Sequence, residues 1–340
     1  MKRRAAAPPL PVRALALYLG LLVAGGWVWF VLNGRAGSGN DATPRIVLIR
    51  PHTSSFGIAT ALKEAGVIRS RLGFLAAAII QGAHRRLLPG EYEFEQKVSL
   101  LEVIRRLEQG RGLVHQVTIP EGLAAQQVAQ LLAERGLVDR DRFLGLLRDR
   151  ALLERHGVER DSLEGYLFPD TYRLVKGQGE DAIIHGMVRR FHEVFGPEEQ
   201  ARAGKLGMSV HDVVTMASLI EREAKVPQER PLISAVFHNR LRVRMPLQSD
   251  PTVLYALSRF SGRLTKANLQ APSPYNTYVN HGLPPGPIAN PGRASIMAAL
   301  HPAGTRYLYF VSRNDGTHAF SKTLREHEVL VKRYQVRGGG

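Results

Sequence analysis

Nineteen consecutive residues, Ala14 to Leu32, carry no charge. At a helical rise of about 1.5 Å per residue, such a run spans a hydrocarbon core of about 30 Å. Trp27, Trp29 and Phe30 sit near its far end, where interfacial aromatics belong. Lys2, Arg3, Arg4 and Arg13 precede it, and Arg35 is the only charge that closely follows. The positive-inside rule then leaves residues 1–13 in the cytoplasm, makes 14–32 a transmembrane signal anchor, and puts the rest on the periplasmic or extracytoplasmic side of the inner membrane. A cleaved signal peptide is the competing reading. The run is long for such a peptide, and no Ala-x-Ala site follows it cleanly.

The chain beyond the anchor must fold as globular domains. The protein has 340 residues, 44% hydrophobic and 22% charged, enough for two modest domains or one large one. The net charge of +16 invites a nucleic-acid reading. The basic residues are scattered, however. Pairs such as Arg85-Arg86 and Arg105-Arg106 lack interleaved aromatics, so a surface facing anionic lipid or wall polymer is preferred and no nucleic-acid partner is expected. Cysteine is absent, which excludes disulfides and thiolate metal sites. His327-Glu328-Val329-Leu330-Val331 begins like a zincin motif without its second histidine. There is no Walker A sequence and no nucleophile elbow, so neither metal nor cofactor is expected.

Residues 33–44, rich in Gly, Ser and Asn, read as a linker. Ile49 to Ile68 aligns without gaps on Ile119 to Val138, each as a strand, a turn and an amphipathic helix closed by Gly66 or Gly136. Gly90 to Phe94 alternates like a strand, and Val98 to Leu107 has helical period. The fold class is therefore α+β, with a small module over 45–115 and a larger domain over 116–335. Helices are expected over 124–135, 140–157, 181–195 and 209–226, with a short aromatic loop or strand over Leu163 to Tyr172.

The helix at 209–226 is the most informative. Ser209 and Asp212 form a capping-box pattern, and Pro227 marks its end. Val213, Val214, Met216, Ala217, Leu219, Ile220 and Ala224 fall on one broad arc, with Thr215 and Arg222 roughly opposite. Glu223 lies inside that arc and Glu221 at its edge. A carboxyl drawn into apolar surroundings holds its proton near neutrality and can act as a general acid. The alternative is a structural glutamate paired with an arginine.

The sequence around this helix resembles the endolytic murein transglycosylases of the YceG-like type. The resemblance rests on Ala217 to Ala224, Arg230, Ala235 to Leu241 and Leu247 to Val253. It continues through Ser273 to Tyr278, Gly282 to Gly292, His301 to Ala303 and Tyr307 to Val311, then Gly316, His318 and Phe320. Upstream it takes in Glu164 to Tyr172, so it covers roughly 115–335. Arg222 and Ala224 stand where lysine and threonine are common in that family. The resemblance implies that the small module is LysM-like and that Glu223 is the catalytic glutamate. It also implies peptidoglycan glycan strands as substrate, 1,6-anhydro-muramyl products, and cell-wall synthases as candidate partners.

The remaining site residues are candidates for substrate contact. Tyr275 and Tyr278 offer ring faces and hydroxyls, with Asn276 between them as an amide. Gln248, Asp250 and Thr252 either line a groove or cap a helix, and Glu221 stands at the rim. Asp170 and Tyr172 are weaker candidates, and a lone histidine such as His318 is more often structural. Two rivals remain open: a muramidase using Glu223 with Asp250 or Asp170 as second carboxylate, and a non-catalytic glycan-binding scaffold.

Overall fold

The structure is a computed structural model, and it describes residues 17–20, 22, 25–26, 43–95 and 98–336. The expected anchor lies largely outside the described residues, among which no helix is long and apolar enough to cross a membrane. The chain divides into two compact units. One comprises residues 1–115 with 174–179, the other 116–173 with 180–340.

The first unit runs β1 (Arg45–Ile49), α1 (Ser55–Glu64), α2 (Arg71–Ile80), β2 (Gly90–Phe94) and α3 (Leu100–Glu108). β1 and β2 pair antiparallel, Arg45 facing Phe94 and Ile49 facing Gly90. Period-two alternation sends Val47, Ile49, Tyr92 and Phe94 inward. There they meet Ile58, Leu62, Phe74, Ile104 and Leu107 from the helices. Ser54, Ser70 and Ser99 each accept a backbone N–H at the start of a helix, a contact worth about 1 kcal/mol per cap.

A second two-stranded sheet joins β3 (Val114–Thr118) to β4 (Thr171–Val175). Helix α4 (Ala125–Glu134) follows β3. It matches α1 at a constant offset of seventy residues, and Gly66 and Gly136 both take left-handed backbone, at φ of 69° and 65°. The sequence echo is thus a repeated strand, turn, helix and left-handed glycine. The expected helix over 140–157 is two, α5 (Arg140–Leu146) and α6 (Arg150–Arg155). Asp149 breaks it by accepting from Leu152 N–H and so starting a new helix.

The second unit continues with α7 (Glu180–Val194), α8 (Pro197–Lys205), α9 (Val210–Glu223), α10 (Arg230–Arg242), α11 (Asp250–Ala256) and α12 (Arg293–Leu300). The antiparallel pair β5 (Tyr309–Ser312) and β6 (His318–Ser321) and helix α13 (Leu324–Val331) end it. Helix α9 is the spine, packed by α10, α11 and α12. Every residue from Val213 to Ile220 is buried, Thr215 included. The one-sided arc expected for this helix is therefore too narrow: α9 is enclosed all round, with Ser218 Oγ satisfied by donating to Thr215 O at 2.7 Å. The capping box forms as expected, Asp212 N–H donating to Ser209 Oγ and Ser209 N–H to Asp212 Oδ2.

Candidate active site

Helix α9 ends three residues earlier than expected. Ala224 is already extended, at φ −73° and ψ 121°, so Glu223 is the last helical residue. That end carries two glutamates with different partners. Glu221 is shielded, its side chain only 6% exposed. Its Oε1 accepts from Arg230 Nη2 at 3.1 Å and its Oε2 from Gly292 N–H at 3.0 Å, at the start of α12. Arg230 also donates to Ser295 Oγ at 3.0 Å and lies 3.8 Å from Glu121. Glu221 therefore ties α9, α10 and α12 together, and both its oxygens are occupied.

Among the described residues, Glu223 has no such cation in contact. Its Oε1 accepts one hydrogen bond, from Ser249 Oγ at 2.5 Å. Burial is the chief influence on its proton affinity and pushes its pKa up to about 7. The Ser249 hydroxyl opposes that rise, the charge of Asp250 reinforces it, and those of Arg240 and Arg222 oppose it. Arg222 is held by carbonyls, donating to Gly122 O at 3.2 Å and Phe260 O at 2.7 Å.

Ser249 is the N-cap residue of α11, yet its side chain caps nothing. It is 1% exposed. Its N–H donates to Thr277 Oγ1 at 3.0 Å, and Thr252 Oγ1 donates to Ser249 O at 2.7 Å. Thr252 and Thr277 hydroxyls meet at 2.9 Å. This buried mesh leaves the Ser249 hydroxyl only Glu223 to bond. Beside it, Gln248 holds left-handed backbone at φ 49° and is anchored by its N–H to Thr277 O at 3.0 Å. Arg240, 6% exposed, braces the same loop by donating to Pro246 O, Leu247 O and Gln248 Oε1 at 3.2, 2.8 and 3.4 Å. Its guanidinium lies 5.5 Å from the Tyr309 ring centre.

The candidate contacts sort into two groups. Gln248 and Asp250 are exposed, and Tyr278 is half-buried with its hydroxyl donating to Asp250 Oδ1 at 2.5 Å. These three share the neighbourhood of Glu223. Thr252 and Asn276 are wholly buried. Asn276 Nδ2 donates to Leu269 O and Ala271 O, while its Oδ1 accepts from Tyr278 N–H. Thr252 and Asn276 therefore shape the loop and present nothing to a ligand. Tyr275 packs its ring against Tyr255, centroids 4.9 Å apart. Asp170 pairs with Arg190 at 2.7 Å, and Tyr172 donates to Phe168 O. His318 pairs with Glu229 at 2.6 Å, a structural contact.

Glu164 carries a signal that sequence reasoning passed over. It is 7% exposed and has no cationic partner among the described residues. Both its oxygens accept from Ala125 N–H at 3.0 Å, at the N-terminus of α4, while Asn290 Nδ2 donates to Oε1 at 3.1 Å and Tyr255 OH to Oε2 at 3.3 Å. Burial pushes its pKa up to about 7 as well. Tyr255 belongs to α11, so Glu164 buttresses the helix that presents Ser249. Gly165 beside it has φ +88°, and a Cβ there would lie 2.5 Å from the Pro287 side chain.

The sequence profile of the YceG-like family matches residues 47–333. The chain belongs to the YceG-like family. The match reaches through both units, beyond the 115–335 stretch where the motifs are densest. An endolytic murein transglycosylase of Bacillus subtilis is 36% identical over 83% of this chain and 82% of its own length. One from Streptococcus pneumoniae is 28% identical over 94% of this chain, which spans 64% of that longer relative. The crystal structure of a YceG-like protein from Listeria monocytogenes, 33% identical, covers 85% of this chain and all of its own, with a TM-score of 0.59.

Proposed function

We propose that this protein is an endolytic murein transglycosylase in which Glu223 supplies and then recovers the catalytic proton. The observation that carries the reading is a carboxyl raised to about 7 by burial, held by a single hydroxyl, beside exposed polar side chains. The names of the relatives give the substrate class.

Glu223 as the acid protonates the glycosidic oxygen between N-acetylmuramic acid and N-acetylglucosamine, and the C1–O bond breaks. The resulting carboxylate takes the proton of the muramic C6 hydroxyl as that oxygen bonds to C1. A 1,6-anhydro ring closes, Glu223 regains its proton and no water is consumed. A proton affinity near neutrality suits a group that must give and take one proton in turn. Ser249 orients the carboxyl and stabilises its ionised form. Asp250, Gln248 and Tyr278 are proposed to contact the sugar.

In the same reading, 14–32 anchors the chain in the inner membrane and the remainder works outside the cytoplasm. The first unit, with a core of its own, is a LysM-like module, and cell-wall synthases are candidate partners. One observation supports a rival: Asp250 is close enough to Glu223 to raise its proton affinity, which suits a two-carboxylate hydrolase. Mass analysis of products from purified glycan strands in isotopically labelled water separates the two. Anhydro ends without label support the transglycosylase, and labelled reducing ends refute it.

A further inference from the structure

Helix α2 is apolar on two opposite faces. Phe74, Ala77 and Ala78 fill the core of the first unit. Leu72, Ile79 and Ile80, together with Ala76, point outward, the three large side chains at 75%, 61% and 64% exposure. Their spacing of i, i+4, i+7 and i+8 makes one continuous stripe along the helix. Phe56 of α1, 56% exposed, extends the apolar surface at the helix start, where Arg71 lies 5.6 Å from its ring centre. A helix apolar all round is ordinarily enclosed, and a contiguous exposed patch of this kind marks an interaction surface.

The surroundings of the stripe identify its partner. Residues 65–90 contain Arg69, Arg71, Arg85 and Arg86 and no acidic side chain. Arg86 pairs with Glu108 of α3 at 2.8 Å and stays largely exposed. Arg85 is exposed beside it. An aliphatic stripe flanked by arginines is the pattern of a helix lying in the interface of an anionic bilayer. The chain length between the uncharged run and β1 agrees. Twelve residues, 33–44, can reach about 40 Å at most, so with 14–32 as an anchor the first unit stays close to the membrane surface.

We infer that α2 of the first unit docks on an anionic lipid surface through Leu72, Ile79 and Ile80, with the flanking arginines on the phospholipid headgroups. The inference rests on the reading of 14–32 as a membrane anchor. It gives the first unit a second role, holding the chain at a fixed height over the bilayer.

The absence of cysteine makes the test direct. Ile79→Cys, Val23→Cys within the uncharged run, and Lys205→Cys on the second unit are each labelled with an environment-sensitive fluorophore. The full chain is reconstituted in vesicles of phosphatidylethanolamine and phosphatidylglycerol. The probe at 79 should be quenched by a spin-labelled lipid and be several-fold less sensitive to aqueous iodide than the probe at 205. Replacing phosphatidylglycerol with phosphatidylcholine should weaken that protection. Iodide access at 79 equal to that at 205 overturns the inference, and lipid quenching at 23 in that experiment leaves the anchor standing. Iodide access at 23 refutes the anchor itself. Protection of 79 from both quenchers overturns the lipid assignment in favour of a protein partner or a second copy.

Discussion

Replacing Ser249 by alanine removes the one hydrogen bond that Glu223 accepts, at 2.5 Å from a buried hydroxyl. The backbone bond from Ser249 N–H to Thr277 survives, so the loop should keep its shape. A hydrogen bond to a charged group contributes about 1.5–3 kcal/mol. At about 1.4 kcal/mol per pH unit, losing it raises the Glu223 pKa by about one to two units, with the lower figure expected if water replaces part of the bond. The first step needs the protonated acid, so activity falls as pH rises through that pKa. In Ser249→Ala the alkaline limb of kcat/KM should therefore move from near 7 to about 8, while the rate at the optimum drops roughly tenfold from loss of one positioning contact. Ser249→Thr, which keeps the hydroxyl, should restore the limb. The assay is release of soluble glycan fragments across a pH series, with thermal unfolding as the folding control. A limb that stays in place, or moves to lower pH, refutes the claim that Ser249 sets the proton affinity of Glu223.

Burial raises both Glu223 and Glu164 from the ordinary 4.5 to about 7. At these two sites the folded chain then binds more protons than the unfolded chain between those values, so their contribution to stability is full below 4.5 and is lost as pH rises through 7, by at most about 3 kcal/mol per group. Glu164→Gln should remove its share, flattening Tm between pH 5 and pH 8; an unchanged slope contradicts it. Glu221→Gln leaves Arg230 with Ser295 Oγ and the more distant carboxylate of Glu121, and a lower denaturant midpoint corresponding to about 3 kcal/mol is expected; an unchanged midpoint with lost activity would move Glu221 into the chemistry. Gly165→Ala combines left-handed backbone with a 2.5 Å clash against Pro287, and a loss of about 3 kcal/mol is expected in chemical denaturation.

Local periodicity carried much of the fold. The helix start at Ser209, the helical period over Val98 to Leu107, the left-handed glycines at 66 and 136, and the alternation of Gly90 to Phe94 all stand in the structure as the residues imply. Tertiary context governs the remainder. Periodicity puts Thr215 on an outer face, but packing on several sides encloses it. The helical arc separates Glu221 from Glu223 by burial, whereas the structure separates them by partner: a cation and a backbone N–H for one, a hydroxyl for the other. Nothing in the spacing of Ser249 or Glu164 announces a role, since each acts across 26 or more residues of sequence. A serine at an N-cap that leaves its helix uncapped is visible only in three dimensions.

The central claim is that Glu223 alone moves the proton. Mass analysis of products from purified glycan strands, with wild type and Glu223→Gln compared in isotopically labelled water, tests it most directly. The glutamine matches the carboxyl in size and can still accept from Ser249, but it cannot give up or recover a proton. Wild type should yield 1,6-anhydro-muramyl ends without label, and Glu223→Gln, folded to the same Tm, should yield no cleavage. Undiminished anhydro product from the variant, or labelled reducing ends from wild type, would contradict the account.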